Sequence, residues 1–346
     1  MVIFVCVHNK HKQPGPAMRG FFLPLRENTE TEEMQGNQPK STWAGNGINR
    51  QTIAIQGIRG SFHDEAARLF FSADRDSLLY KPCMSFREVS TAVRDDQAAH
   101  GVMAVENSLV GGMLPNFSLI REAGLRINGE VYMRITQNLM ALPGERMDTL
   151  REVHSHPMAI MQAEGFFEHH PHIRLVESAD TAESARLISV GQLRGIGAIA
   201  SAVASDIYGL PMLATSIETN PENFTRFLVI SKEPAVVGTG QTVKASLAFI
   251  APHRPGSLVE VLLPLARSGV NLSMLQSLPM VGRSWEYIFH ADMVFGDAGM
   301  AREVIADMGR RLEHLWVMGI YPAAANGGET PAADKGNKTH VNTTGK

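Results

Sequence analysis

Short apolar segments alternate with amphipathic segments over roughly the first two thirds of the chain, from Gln51 to about Ser231. The apolar segments have the length of strands, and the amphipathic ones have the periodicity of helices. The capping-box patterns Ser85–Glu88 and Asp180–Glu183 mark two helix starts, and Pro157 occupies a first-turn position. This alternation predicts a largely parallel α/β sheet. The candidate strands are residues 52–56, 101–105, 151–154, 173–177, 197–200 and 226–230.

Two longer apolar segments, 126–133 and 136–142, follow one another closely. We predict that they form a strand pair where the chain crosses between two lobes. The first unit then covers residues 51–231 and ends in a short linker, 232–242, which contains Pro and Gly.

A second unit, residues 243–321, has the order strand, helix, strand, strand, helix, strand. The order βαββαβ in about 80 residues predicts a ferredoxin-like module. Its first helix contains Pro264, an unfavourable interior residue. The predicted segments are residues 244–250, 255–269, 271–280, 284–295, 298–315 and 316–322.

The two ends of the chain have few large apolar side chains. Residues 1–50 are polar after a short apolar start, and residues 322–346 contain almost no large apolar side chain. Such segments bury too little surface to offset the entropy of ordering. We therefore predict a disordered leader and a disordered tail, with Met34 as an alternative start of translation.

Charge and composition exclude several classes of protein. The chain has 346 residues, 44% of them hydrophobic, and its net charge is −3, so no basic excess indicates nucleic acid or an anionic membrane as partner. No apolar run reaches the ~18–20 residues of a membrane helix. Two cysteines fit a reducing compartment, and we expect a cytoplasmic protein. Since no metal motif, P-loop or dinucleotide fingerprint is present, we expect no cofactor and no metal.

Polar residues follow several predicted strands where the next helix begins. A helix start has unpaired N–H groups and a positive dipole end, and such junctions line the ligand crevice of open α/β sheets. Several of them together favour a small anionic substrate, although each one also fits simple helix capping. The junction residues are Ser61, Glu106, Asn107, Ser108, Ser155, Thr181 and Ser201.

Three segments are harder to explain by capping. Glu106 directly follows an apolar strand, where an unpaired charge is costly. Ser155 and Gln162 are seven residues apart, which places them on one side of a helix. Thr225 and Arg226 begin a buried strand, where the guanidinium needs an anionic partner, either a substrate carboxylate or a protein carboxylate.

These segments together resemble the prephenate dehydratase family over residues 51–231. The second unit is similar to the ACT regulatory module of the same enzymes, with PGSLVEVL at the start of its first helix. The resemblance implies a two-lobed catalytic domain, like periplasmic binding proteins, followed by a ferredoxin-like ACT domain. The matching segments are GIRGSFHDEAA, AVENSLVGGM, VHSHPMAIMQ, ADTAESA, AIAS with IYGL, and NFTRFLVI.

The resemblance also implies roles for individual residues. It implies a catalytic or substrate-binding role for Thr225, and from the chemistry of prephenate we expect Thr225 to donate a hydrogen bond to the leaving hydroxyl. We further hypothesise that Glu106 supplies the proton if it is buried and that Arg226 binds the pyruvyl carboxylate. The resemblance implies roles of the same kind for Asn107, Ser155 and Gln162. We also expect substrate contacts at Ser61, Ser108, Thr181 and Phe227. The implied effector residues are Gly256, Ser257, Leu258, Gln276 and Ser277.

Two positions depart from the family pattern. The family has a hydroxyl residue where His63 stands, and Glu-Ser-Arg-Pro where this chain has Gln276-Ser277-Leu278-Pro279. The second change removes a carboxylate and a guanidinium from the phenylalanine site.

The resemblance predicts an enzyme that converts prephenate to phenylpyruvate and responds to phenylalanine. We also expect a homodimer or homotetramer assembled through the ACT modules. Arogenate dehydratase, which has the same chemistry on the amino analogue, is an alternative. A non-catalytic amino-acid-sensing protein is an alternative of another class.

Overall fold

The first of the three sheets in the described part of the chain combines a parallel trio of strands with antiparallel neighbours. The structure, a computed structural model, describes residues 52–71, 78–280 and 286–324. Its strands run in the order β2-β1-β3-β11-β5, with β4 on β3. Only the trio β2-β1-β3 is parallel, so the prediction of a largely parallel sheet was wrong here. The strands are β1 (Thr52–Gln56), β2 (Leu79–Cys83), β3 (His100–Asn107), β4 (Gly111–Gly112), β5 (Arg126–Arg134) and β11 (Phe224–Ser231).

Helices cover both faces of the first sheet. One apolar core lies between the sheet and α1 (Phe62–Phe71). The other lies against α2 (Phe86–Arg94) and α3 (Leu114–Glu122). The predicted cap of α2 is present, because the Ser85 hydroxyl accepts from the Glu88 N–H. We call this sheet with its helices the first lobe.

The second lobe repeats the same plan. Its parallel trio β8-β7-β9 continues into the antiparallel strands β6 and β10. Strands β5 and β6 belong to different lobes and do not pair, so the predicted strand pair was wrong, although the chain does cross between the lobes there. The elements are β6 (Asn138–Ala141), β7 (Glu152–Ser155), α4 (Pro157–Phe167), β8 (Arg174–Glu177), α5 (Thr181–Gly191), β9 (Ile196–Ala200), α6 (Ala202–Tyr208) and β10 (Met212–Ala214).

The third sheet has the predicted βαββαβ order and the ferredoxin-like strand arrangement β13-β14-β12-β15, all antiparallel. Pro264 lies inside its first helix. We call this part the C-terminal module. Its elements are β12 (Val243–Ile250), α7 (Ser257–Arg267), β13 (Asn271–Pro279), β14 (Tyr287–Phe295), α8 (Ala298–Arg311) and β15 (His314–Pro322).

The C-terminal module packs on the first lobe through one continuous core. Ala248, Met318 and Tyr321 of the module share an apolar cluster with Ile127 and Leu228 of the first lobe. Strand β15 lies so close to β5 that a Cβ added at Gly319 would stand 2.3 Å from the Ile127 carbonyl oxygen. The domain boundaries at 231 and 243 stay a prediction, and the predicted leader and most of the tail lie outside the described residues.

Among the described residues, no helix is long and apolar enough to span a membrane. Cys83 is a buried free thiol.

Candidate active site

A β-bulge at the end of β3 decides which side chains meet. Arg226 on β11 pairs with Glu106, whereas the next residue, Phe227, pairs with Ala104, so Val105 is the extra residue. The bulge places Glu106 beside Arg226 on the face that the C-terminal module covers. Side chains alternate along a strand, so Thr225 lies on the opposite face of β11.

Asn107 is the centre of a buried hydrogen-bond network. Its amide nitrogen donates to the Thr225 hydroxyl oxygen at 2.9 Å and to the Asn223 side-chain oxygen at 2.8 Å. Its own side-chain oxygen accepts from the N–H groups of Leu109 and Val110, both at 3.0 Å. With four hydrogen bonds, the Asn107 side chain has a fixed orientation and holds Thr225 in place.

The same network connects the two lobes. The Asn223 amide donates to Gln162 Oε1 on α4 at 3.0 Å, and the Gln137 amide donates to the same oxygen at 3.0 Å. Gln137 precedes β6 and Asn223 precedes β11, so these two residues lie on the two segments by which the chain passes between lobes. The structure thus brings together three predicted residues, Asn107, Gln162 and Thr225.

The network keeps unused hydrogen-bonding capacity. The Thr225 oxygen accepts from Asn107, and among the described residues nothing accepts the Thr225 hydrogen. Gln137 Oε1 is buried and has no partner within the described part of the chain. A hydroxyl donor and an orphaned amide oxygen at one place suit a polar ligand.

Three of the other predicted junction residues, Ser61, Ser108 and Ser155, hydrogen-bond to protein groups. Ser155 ends β7 and lies outside α4, so the prediction that it shares one side of a helix with Gln162 was wrong. Its side chain is fully buried, and its hydroxyl donates to the Ile199 carbonyl at 2.7 Å. Ser61 accepts from the Asp64 N–H at the start of α1, and Thr181 is the buried first residue of α5. Ser108 donates to the Glu222 carbonyl and accepts from the Phe224 N–H, which ties β3 to the start of β11. The roles of these four residues toward substrate stay predictions.

The structure corrects three of the predicted roles. Arg226 is buried and its guanidinium binds Glu130, Asp292 and Tyr321, so it is not free for a substrate carboxylate. The Glu106 side chain is 46% exposed and lies on the Arg226 side of the sheet, so it is not the buried proton donor that the hypothesis required. Phe227 is 1% exposed and packs in the core under α1, where it cannot reach a ligand.

His63 belongs to that same core. Its ring lies edge-on to Phe227, with centroids 5.1 Å apart, and its Nε2 accepts from the Ala104 N–H at 3.3 Å. Burial lowers the pKa of His63 to about 4, so the ring is neutral at physiological pH. Where the family has a hydroxyl, this chain therefore has an uncharged packing residue.

The predicted effector residues are distributed over two parts of the C-terminal module. Gly256 precedes α7 with φ +83°, Ser257 is the buried first residue of α7, and Leu258 packs on the core of the module. Gln276 on β13 instead lies against Gly112, where an added Cβ would stand 2.8 Å from its Oε1. Ser277, beside it, is exposed.

The sequence model of one family matches most of the two lobes. It is described as prephenate dehydratase, and it matches residues 53–235. The chain belongs to the prephenate dehydratase family. The residues that form the Asn107 network all lie within this match.

Relatives of known name agree with this assignment. An arogenate dehydratase/prephenate dehydratase of Arabidopsis thaliana is 32% identical over 86% of this chain and 77% of its own length. A bifunctional N-acyl-homoserine lactone acylase/prephenate dehydratase of Komagataeibacter europaeus is 31% identical over 79% of this chain and 96% of its own. The structure of a prephenate dehydratase from Arthrobacter aurescens, in complex with L-Phe, is similar with a TM-score of 0.65 and 26% identity, over 78% of this chain and 90% of that chain.

Two residues of this prephenate dehydratase site were missed from the sequence. Asn223 could have been identified, because it is a polar residue two positions before Thr225. This spacing places both side chains on one face of an extended segment. Gln137 had no comparable signal, because it lies in the short segment between β5 and β6 and its partner Gln162 is distant in sequence.

Proposed function

We propose that the protein is a prephenate dehydratase, which converts prephenate to phenylpyruvate, CO2 and water. The observation that carries the proposal is the Thr225 hydroxyl, which Asn107 fixes in a network that joins both lobes and whose hydrogen has no acceptor among the described residues. Membership in the family supports the same activity.

The reaction needs a hydrogen-bond donor at the leaving hydroxyl group and a ring carboxylate that no cation holds in place. When the ring carboxylate leaves as CO2, the electrons of the broken C–C bond enter the ring and expel the hydroxyl group across it. The oxygen departs as hydroxide and takes up a proton from the solvent to become water. Thr225 donates a hydrogen bond to that oxygen, and the Asn107 amide stabilises the threonine oxygen as its hydrogen moves toward the ligand.

Positioning supplies the rest of the catalysis. Gln162, Gln137 and Asn223 fix one edge of the site across both lobes, so a bound substrate has both leaving groups in a defined orientation. Because Arg226 is engaged by protein carboxylates and the Asp180 carboxylate caps the start of α5, we assign neither of them to the pyruvyl carboxylate, and Thr181 stays a proposed substrate contact.

The direct test is incubation with prephenate and ultraviolet detection of phenylpyruvate. The matched pair is Thr225→Val and Thr225→Ser, because valine keeps the shape and serine keeps the donor. We expect turnover by the wild type and the serine variant and strong loss in the valine variant. Absence of phenylpyruvate with folded wild-type protein would refute the proposal.

Arogenate is the second candidate substrate. The Arabidopsis relative carries both names, and the two substrates differ only in the side-chain keto or amino group. The ratio of kcat/KM for the two substrates, measured on one preparation, decides between them. Folded protein that binds either compound without turnover would instead support a non-catalytic sensor.

We propose further that the C-terminal module is an ACT domain that binds phenylalanine and assembles the chain into a homodimer or homotetramer. Its βαββαβ topology and the complex of the Arthrobacter relative with L-Phe support this. Phenylalanine inhibits only if it binds a less active arrangement more tightly. Calorimetric titration with phenylalanine tests binding. Light scattering, with and without phenylalanine, measures the mass of the assembly.

A further inference from the structure

A buried ion network connects the C-terminal module to strand β11. The Arg226 guanidinium donates to Asp292 Oδ2 on β14 at 2.5 Å and to Glu130 Oε2 on β5 at 2.8 Å. Its third contact is the Tyr321 hydroxyl on β15, at 3.2 Å. One side chain of the first lobe is thus held by two strands of the module.

A second layer fixes these partners. Lys244 on β12 binds Glu130 at 2.7 Å, and Ser246 donates to Asp292 at 2.5 Å. Two cations and two anions are therefore buried together, and their charges balance. Burial by itself disfavours the charged guanidinium, but Asp292, Tyr321 and Glu130 outweigh it and raise the pKa of Arg226, which remains a cation.

Arg226 follows Thr225 on the same strand, and the two side chains lie on opposite faces. A guanidinium held by three partners fixes the backbone at the bulge, and with it the Thr225 hydroxyl. We propose that Arg226 is a positioning residue, through which the docked C-terminal module sets the geometry of Thr225. This inference rests on the proposed catalytic role of Thr225.

The close packing of β15 on β5 supports the same conclusion independently. Gly319 lies against the Ile127 carbonyl, so any side chain there must push the module away from the first lobe. Glu130, which binds Arg226, is three residues from Ile127 on the same strand. A side chain added at Gly319 should therefore displace Thr225 through the contacts of Arg226, as the loss of charge at Asp292 does.

The test is a double-mutant cycle between Asp292→Asn and Thr225→Val, with prephenate turnover as readout. We expect Asp292→Asn to lower kcat about tenfold and to change KM less, since misplacement of a reacting group lowers the rate of the chemical step. In the Thr225→Val background the same change should have less than about a twofold effect, because the donor that it misplaces is gone.

Two variants in the same module serve as controls. Asp307→Asn removes a half-buried carboxylate of α8 that pairs only with Arg310 and Arg311 of the same helix, and Gly309→Ala adds a Cβ that has only one ordinary contact, at 3.8 Å. Both should keep wild-type kcat. Gly319→Ala should lower kcat as Asp292→Asn does and should likewise lose its effect in the Thr225→Val background, which keeps the test decisive if Asp292→Asn does not fold.

The outcomes separate the two proposals. Wild-type turnover by Thr225→Val refutes the catalytic role of Thr225 and removes the basis of this inference. Loss of activity in Thr225→Val together with an additive cycle overturns the positioning role alone. Wild-type kcat in folded Asp292→Asn or Gly319→Ala also overturns it.

Discussion

Asn107 and Thr225 occupy paired positions on β3 and β11, and the Asn107 amide donates to the Thr225 hydroxyl oxygen at 2.9 Å. The same asparagine is held by Asn223 and by two backbone N–H groups. A hydroxyl whose oxygen is already an acceptor has its hydrogen aimed elsewhere. The pair therefore forms a donor of defined direction, which the dehydration step requires.

Thr225→Val should lower kcat by ~10²–10³, the usual cost of removing one donor to a developing charge. The fold should be preserved, since valine has the same shape and Asn107 keeps Asn223 as acceptor. Thr91→Val, on α2, is the matched control and should leave turnover unchanged. Steady-state kinetics with prephenate and a thermal melt of each variant measure both effects. Turnover within a few-fold of wild type would remove Thr225 from the mechanism.

The strands of the two lobes and of the C-terminal module were largely predictable, because apolar runs and capping residues have local signals. The bulge at Val105 was not, since it depends on the register between β3 and β11. From the sequence alone, Glu106 and Asn107 are equally good candidates for catalytic residues. In the register that the bulge produces, only Asn107 pairs with Thr225.

The partners of Arg226 were also beyond prediction from local sequence. The alternative of a protein carboxylate was open, but Glu130 and Asp292 lie 96 and 66 residues away. A usable signal was the presence of Glu130, Lys244 and Asp292 inside otherwise apolar strands, where an unpaired charge is costly. Three such residues indicate one buried network, although not its geometry.

Asn223→Ala should weaken both the site and the fold. Asn223 is fully buried and joins Asn107 of the first lobe to Gln162 of the second, so its loss removes one hydrogen bond to each lobe. We expect the free energy of unfolding to fall by about 1–3 kcal/mol and kcat/KM to fall at least ~10-fold. Asn220→Ala, an exposed residue of the same segment, is the control. Equal kcat/KM in the two variants would contradict the role of the network.

His290→Phe should stabilise the protein more at pH 5 than at pH 7.5. His290 is fully buried on β14, and neither ring nitrogen has a partner within the described residues. Burial first, and Arg121 next, lower the pKa of His290 to about 4, while Asp292 opposes them.

The direction of this effect follows from proton uptake. Between pH 6.5 and about 4 the unfolded histidine binds a proton and the folded one does not, so stability falls with decreasing pH, by at most about 1.4 kcal/mol per unit. The His290→Phe substitution removes this loss of stability, because the new side chain does not bind a proton. Denaturant unfolding at both pH values measures it, with exposed His253→Phe as control. A stability gain that is the same at both pH values would show that His290 does not titrate in this way.

Gly256→Val should weaken phenylalanine binding at least ~10-fold if the start of α7 forms part of the effector site. Gly256 has φ +83°, a conformation that a β-branched residue adopts only with strain of ~1–2 kcal/mol, and this strain changes the direction of the N–H groups that open α7. A Cβ there meets no atom within 4 Å, so the effect comes from the backbone and not from a clash. Gly240→Val is the matched control, because Gly240 has φ +71° and equally open surroundings but lies in the linker. Calorimetric titration with phenylalanine measures both variants against the wild type.

Since Gln276 and Leu278 replace the charged residues of the family motif, we expect the wild type itself to bind more weakly than enzymes with the full motif. No heat from the wild type at millimolar phenylalanine would mean that the module serves assembly or binds another ligand.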